Sequence, residues 1–152
     1  MACSSLVIGI GNSLRGDDGV GWRLVEELGP PHQAVHQLTP ECAALLADTE
    51  RVLFVDAWCG EPLPSAPVLT ELQPADPGPT AEAGSAFSHD LSPEALLAIS
   101  QHLYGRSPQA WQLLVPAVQF GHGEALSPEL RALLPQARDL LQEWLQESLC
   151  TN

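Results

Sequence analysis

The chain contains no lysine, and its 6 arginines stand against 19 acidic residues, which gives a formal net charge of −13 at pH 7. A protein that binds nucleic acid needs positive charge to neutralise phosphates, so we do not expect nucleic acid as a partner. The excess of negative charge fits a solvated acidic surface. It would also suit docking of a basic segment from a partner protein.

The sequence also lacks any apolar run near the ~20 residues that a membrane-spanning helix requires. Residues 1–5 have neither the basic nor the long apolar region of a secretory signal, and the 4 cysteines form no C-x-x-C pair. We therefore expect a cytoplasmic protein with no membrane partner, whose cysteines are free thiols.

The length of 152 residues and the hydrophobic fraction of 45% predict a single domain, 1–152, with a sizeable core. The predicted strands are 6–10, 34–38, 52–55, 67–72 and 111–118, and the predicted helices are 20–28, 40–47, 92–105 and 127–145. Pro, Ala and Gly dominate 74–88, which we interpret as a mobile loop. The alternation of strand and helix predicts an α/β three-layer sandwich, with a mostly parallel central sheet of about five strands flanked by helices.

A glycine-rich segment, 8–21, joins the first predicted strand to the first helix. Such a segment often binds a nucleotide, but two details argue against that here. A dinucleotide fingerprint needs a glycine where this chain has Leu14. A phosphate loop needs Lys and then Ser or Thr after Gly16, where this chain has Asp17 and Asp18. Two carboxylates repel phosphate and attract a cation, so the segment predicts a cation-binding loop and no nucleotide.

Carboxylates follow two of the predicted strands. Asp17 and Asp18 come after the first strand, and Asp56 ends the third. The carboxyl ends of parallel strands meet at one edge of a sheet, so these acids converge if the two strands are neighbours. Asp18 and Asp56 are therefore candidate metal ligands, although each could instead cap a helix or end a strand. We expect Asp17 to serve mainly as a helix cap.

A site with two carboxylates usually takes a histidine as its third ligand. Of the 5 histidines, His89 and His122 lie in predicted loops where sites are built, and His36 could point into the sheet. We expect His32 and His102 at the surface. Each histidine taken alone is more typical of a surface or packed side chain than of a ligand, so the residues by themselves leave the choice open.

Two nucleophilic arrangements are less convincing. Ser88, His89 and Asp90 contain the residue types of a hydrolase triad, but residues adjacent in sequence cannot adopt triad geometry, and the chain has no G-x-S-x-G elbow. Cys42 and Cys59 have no neighbouring positive charge that would activate a thiolate, so we expect buried thiols there.

Residues 11–21, Gly-Asn-Ser-Leu-Arg-Gly-Asp-Asp-Gly-Val-Gly, closely resemble the opening signature of the hydrogenase maturation proteases. Residues 55–57, Val-Asp-Ala, resemble the second motif of that family, and residues 88–89, Ser-His, resemble its third. Three further segments resemble the subgroup that serves the bidirectional, NAD-reducing hydrogenase: 36–41, 103–105 and 123–128. Other branches carry Asp-Gly-Gly where this chain has Gln-Leu-Thr at 37–39, so a role for that aspartate does not transfer.

The resemblance implies an aspartyl-type endopeptidase whose metal-binding and catalytic residues are Asp18, Asp56 and His89. It would remove the C-terminal extension from the precursor of a nickel-iron hydrogenase large subunit, acting as a monomer. The cofactor implied is nickel, supplied by the precursor. Two rival classes stay open: a non-catalytic nickel-sensing scaffold or metallochaperone with the same ligands, and a nucleotide- or phosphate-binding α/β protein.

Overall fold

The computed structural model describes residues 4–75 and 91–150, and within them one sheet and four α-helices. The strands are β1 (Ser5–Ile10), β2 (Gln33–Val35), β3 (Arg51–Trp58), β4 (Val68–Leu72) and β5 (Gln109–Pro116). The helices are α1 (Val20–Leu28), α2 (Ala43–Leu46), α3 (Pro93–Tyr104) and α4 (Pro128–Cys150). Two short 3-10 helices, Gly16–Gly19 and Pro40–Cys42, precede α1 and α2. In this described part, no helix has the length and apolarity needed to cross a membrane.

The strands follow the order β2-β1-β3-β5-β4 across the sheet. β1 is parallel to both β2 and β3, β3 is parallel to β5, and the edge strand β4 is antiparallel to β5. The mostly parallel sheet that the sequence predicts is therefore confirmed. Residues 51–55 of β3 are all buried, which is typical of a parallel strand covered on both faces.

Helices cover both faces of the sheet, so the three-layer arrangement is confirmed as well. Leu53 and Val55 belong to a core shared with residues of α1 and α4. Val52 and Phe54 belong to a second core, shared with residues of α2 and α3. Because successive side chains of a strand alternate between its faces, one apolar run supplies both cores.

The ends of α3 agree with the predicted helix 92–105. The hydroxyl of Ser92 accepts a hydrogen bond from the backbone N–H of Ala95 at 3.1 Å, and Gly105 ends the helix with φ +74°. The second strand is shorter than predicted, ending at Val35 instead of residue 38. As a result, residues 36–38 leave the sheet at its carboxyl edge.

A buried arginine of β3, Arg51, connects the sheet to the C-terminal half of α4. The guanidinium of Arg51 lies 4.2 Å from the ring centre of Trp144 and 4.8 Å from that of Trp111. Its Nη1 also donates a hydrogen bond to the backbone oxygen of Trp144 at 3.1 Å. A desolvated cation–π contact contributes about 2 kcal/mol, so this cluster is a substantial part of the fold's stability. It lies at the start of β3, whereas Asp56 lies near that strand's carboxyl end.

Candidate functional site

A cleft of about 410 Å³ opens at the carboxyl ends of β1 and β3. These strands are adjacent and parallel, with Gly9 opposite Val55, so the residues that follow each strand emerge at the same edge. Asp18 and Asp56 both line the cleft. The structure thus brings together two of the three predicted site residues. The third, His89, lies outside the described residues, as does nearly all of the predicted loop 74–88.

A tight turn after β1 places Asp18 in the cleft wall. The Oδ2 of Asp18 accepts a hydrogen bond from the backbone N–H of Asn12 at 2.8 Å, which fixes one oxygen of the carboxylate. The turn needs glycine at position 11, because Gly11 has φ +139° and a Cβ there would collide with the backbone oxygen of Asp18. The signature residues before the acid therefore shape the loop that presents it.

Asp56 reaches the cleft from the carboxyl end of β3. Its side chain is half-buried, and Oδ1 accepts a hydrogen bond from the backbone N–H of the next residue, Ala57, at 2.8 Å. Burial of the preceding residues of β3 fixes this strand in the sheet. A rigid strand and a local hydrogen bond together hold the carboxylate in one orientation.

Asp17 does not cap its own helix, so that expectation is wrong. It is fully buried, and neither the 3-10 helix Gly16–Gly19 nor α1 has a side-chain cap. Its carboxylate instead accepts four hydrogen bonds from residues far along the chain. The donors are the backbone N–H groups of Val118, Gln119 and Ser127, at 2.9, 3.0 and 2.7 Å, and the hydroxyl of Ser127 at 2.7 Å.

The charged form of Asp17 is favoured in the fold. Burial on its own would raise the pKa of this carboxyl, but the hydrogen bonds from Ser127, Val118 and Gln119 together outweigh burial and lower the pKa below its ordinary value. The hydroxyl of Ser127 also accepts a hydrogen bond from the backbone N–H of Leu130 at 3.1 Å, at the start of α4. Ser127 thus links the buried acid to the first turn of that helix.

Backbone hydrogen bonds extend this link along the segment 117–127, which follows β5. The N–H of Asp17 donates to the oxygen of Gln119, and the N–H of Gly16 donates to the oxygen of Gly123, both at 2.8 Å. Gly16 has φ +57°, and a Cβ there would lie 2.8 Å from the oxygen of Gln119, so the close approach requires glycine. The segment 117–127 is therefore a fixed neighbour of the glycine-rich segment 8–21.

The described histidines differ in their surroundings. His36, His102 and His122 are all exposed, and of these three only His36 is among the described residues that line the cleft. His32 was expected at the surface, and that expectation is wrong. It is half-buried, its Nδ1 accepts a hydrogen bond from the backbone N–H of Val7 at 2.9 Å, and burial lowers its pKa. His32 therefore completes the hydrogen bonding of β1 and takes no part in the cleft.

The cysteines contribute nothing to the described walls of the cleft. Cys42 is buried, as expected, whereas Cys59 is exposed and so contradicts the expectation of a buried thiol. Neither is among the described residues that line the cleft.

The chemistry of the two carboxylates suits a divalent cation that retains open coordination positions. Within residues 4–75 and 91–150, no three side chains of His, Cys, Asp or Glu lie close enough together to hold a metal ion. The described walls thus provide two oxygen donors, Asp18 and Asp56, with the imidazole of His36 in the same cleft. A complete ligand set needs at least one donor from elsewhere.

No protein-family model matches the chain, and no curated protein matches it either. Several solved structures do. The hydrogenase maturating endopeptidase HybD from Escherichia coli is 20% identical, with a TM-score of 0.72 over 95% of this chain and 93% of that one. A hydrogenase 2 maturation peptidase from a Thaumarchaeota archaeon is 25% identical, with a TM-score of 0.64 over 94% of this chain and 98% of that one.

The nickel-iron hydrogenase maturation protease HybD from Thermococcus kodakarensis is 19% identical, with a TM-score of 0.66 over 93% of this chain and 98% of that one. In each comparison nearly the whole of both chains is covered, so the likeness extends beyond the signature loop to the entire sheet and its helices. This chain therefore has the fold of the hydrogenase maturation endopeptidases, as its sequence resemblance implied.

Proposed function

We propose that this protein is an endopeptidase that removes the C-terminal extension from the nickel-loaded precursor of a nickel-iron hydrogenase large subunit. The observation that carries the proposal is the position of Asp18 and Asp56 in one cleft, at the carboxyl ends of adjacent strands, on a fold shared with hydrogenase maturation endopeptidases. The segments that resemble the subgroup for the bidirectional, NAD-reducing hydrogenase make the large subunit of that enzyme the proposed partner.

The proposed nickel belongs to the substrate. Asp18 and Asp56 fit such an ion because they are oxygen donors that line one cleft, and His89 is the proposed third ligand. Three protein ligands would leave positions for groups of the precursor. When bound, nickel would supply Lewis-acid polarisation near the cleaved bond. A protease with this arrangement would act only on a precursor that has already received its metal.

Carboxylates of the chain would transfer the proton that hydrolysis requires. In hydrolysis, a water oxygen bonds to the carbonyl carbon, the C–N bond breaks, and a proton from the water passes to the leaving amine. A carboxylate of the cleft wall can accept this proton and return it to the nitrogen. Asp18 and Asp56 are both held by backbone N–H donors, from Asn12 and Ala57, so their orientation is set before substrate arrives.

The test is intact-mass spectrometry of the purified precursor, nickel-loaded or nickel-free, incubated with this protein. We expect the loaded precursor to lose a single C-terminal peptide and the nickel-free precursor to stay intact. Binding of loaded precursor without any loss of mass would refute the protease and support the scaffold or metallochaperone, which would use the same ligands. Efficient cleavage of nickel-free precursor would refute the shared-metal scheme and leave a conventional metalloprotease.

A further inference from the structure

The cleft contains one permanent cation among its described lining residues, and that cation is Arg15. A positive charge in this position is unusual, because the protein has no lysine and only 6 arginines. Three of the other arginines have structural contacts: Arg51 with the tryptophans, Arg106 with the backbone oxygen of Thr49, and Arg138 with Glu27. Arg15 instead lines the same cleft as the two candidate site carboxylates, Asp18 and Asp56.

Arg15 lies in the glycine-rich segment 8–21, where hydrogen bonds fix its backbone. Its N–H donates to the oxygen of Asn12 at 3.1 Å, and its own oxygen accepts from the N–H of Asp18 at 3.2 Å. Its backbone also forms a short parallel β-bridge with Gly123, in the segment that follows β5. The site acid and the arginine are therefore held in one turn, so the position of Asp18 constrains that of Arg15.

Among the described residues, partners are found for only one nitrogen of the Arg15 guanidinium. The Nε of Arg15 donates to the backbone oxygen of Phe120 at 3.3 Å. The terminal nitrogens, Nη1 and Nη2, make no hydrogen bond with a described residue, and no ion pair among described residues includes Arg15. Arg15 is exposed at the cleft, so up to four N–H donors of its guanidinium can reach a bound substrate, while Nε contacts Phe120.

An available guanidinium in an acidic cleft has a specific use in peptide hydrolysis. Attack by water places negative charge on the carbonyl oxygen, and the carboxylates Asp18 and Asp56 would oppose that charge. A fixed cation offsets this repulsion and is most effective when the charge is greatest. Lysine could not substitute well, because a guanidinium offers planar, paired donors whereas an ammonium is a point charge.

We propose that Arg15 is a catalytic residue that donates hydrogen bonds to the carbonyl oxygen of the cleaved peptide bond as that oxygen becomes negative. This inference deepens the proposed protease function and rests on it. Arg15 neither forms nor breaks a covalent bond and transfers no proton. Its Nε contact with Phe120 would keep the guanidinium in place before the substrate binds.

The experiment measures kcat and KM for cleavage of the nickel-loaded precursor by wild type, Arg15→Gln, Arg15→Lys and Arg131→Gln. Arg131 is the matched control, since it is an exposed arginine of α4 outside the cleft. We expect Arg15→Gln to lower kcat about a hundredfold with KM nearly unchanged, and Arg15→Lys to restore only part of the loss. Guanidinium chloride at millimolar concentration should raise the rate of an Arg15→Ala variant but not that of wild type.

Two results separate the possible failures. If wild type does not cleave the loaded precursor, the proposed function itself fails. If wild type cleaves and Arg15→Gln has a normal kcat, the protease stands and the role of Arg15 is refuted. A change confined to KM would also refute it, because it would show binding of substrate without preference for the transition state.

Discussion

Ser127 lies 110 positions after Asp17, yet it donates two hydrogen bonds to that carboxylate, one from its backbone N–H and one from its hydroxyl, both at 2.7 Å. Asp18 is the next residue in the chain and lines the cleft. The buried pair therefore holds one wall of the cleft against the first turn of α4. A substitution at Asp17 should therefore change both the stability of the fold and the geometry of the site.

The first prediction is that Asp17→Asn destabilises the protein by about 2–3 kcal/mol, because an amide NH2 would face N–H donors that now point at oxygen. All four hydrogen bonds of the Asp17 side chain are accepted by carboxylate oxygens, so a single amide oxygen cannot replace them. Urea unfolding measures the change, with Asp48→Asn at an exposed position as the control. A loss of unfolding free energy below about 0.5 kcal/mol would show that the pair of Asp17 and Ser127 does not stabilise the fold.

The second prediction concerns pH. The pKa of Asp17 is lowered in the fold, so its contribution to stability is complete above the ordinary pKa of about 3.9 and is lost as pH falls through the lower, folded value. The difference in unfolding free energy between wild type and Asp17→Asn should be constant from pH 5 to 8, taking about pH 5 as the upper end of the titration. It should shrink below about pH 4. A difference that grows on acidification would mean that the pKa is raised instead.

The third prediction separates stability from activity. Arg51→Met should lower the unfolding free energy by about 2–4 kcal/mol, since it removes a cation packed on two tryptophans and its hydrogen bond to Trp144. The cluster lies at the start of β3, away from Asp56, so the processing rate below the melting temperature should be unchanged. Thermal unfolding and a cleavage assay give both values, and Arg131→Met is the control. A large loss of rate in folded Arg51→Met would contradict this separation.

The fourth prediction concerns the third ligand. His89→Ala should reduce processing by at least about a hundredfold, since loss of even an outer partner of a metal ligand costs about 10- to 100-fold. His122→Ala should stay within about twofold of wild type, because its exposed side chain lies outside the described cleft wall. Normal processing by His89→Ala together with loss in His36→Ala would assign the ligand role to His36, which does line the cleft.

The sequence predicted the layers and the convergence of acids because both follow from short-range patterns. Unbroken apolar residues in 52–55 indicate a strand buried on both faces, and topology then places Asp18 and Asp56 at one edge. The predicted helix 92–105 also depends on residues close together in the chain, and α3 agrees with it.

What the sequence could not supply were contacts between distant segments. Nothing near Asp17 in the chain indicates that its partner is Ser127, so a helix cap was the natural expectation and proved wrong. Arg51 and Trp144 were missed for the same reason, being 93 positions apart. His32 was assigned to solvent because it follows two prolines, yet it supplies the acceptor for Val7.

The most direct measurement of the central claim is single-turnover cleavage of the nickel-loaded precursor by Asp18→Ala, Asp56→Ala and Asp139→Ala. Asp139 is the matched control, since it is an exposed aspartate of α4 outside the cleft. Circular dichroism would establish that each variant is folded. We expect no detectable cleavage by Asp18→Ala or Asp56→Ala and a wild-type rate for Asp139→Ala. Cleavage at the wild-type rate by folded Asp18→Ala or Asp56→Ala would contradict the assignment of this cleft as the active site.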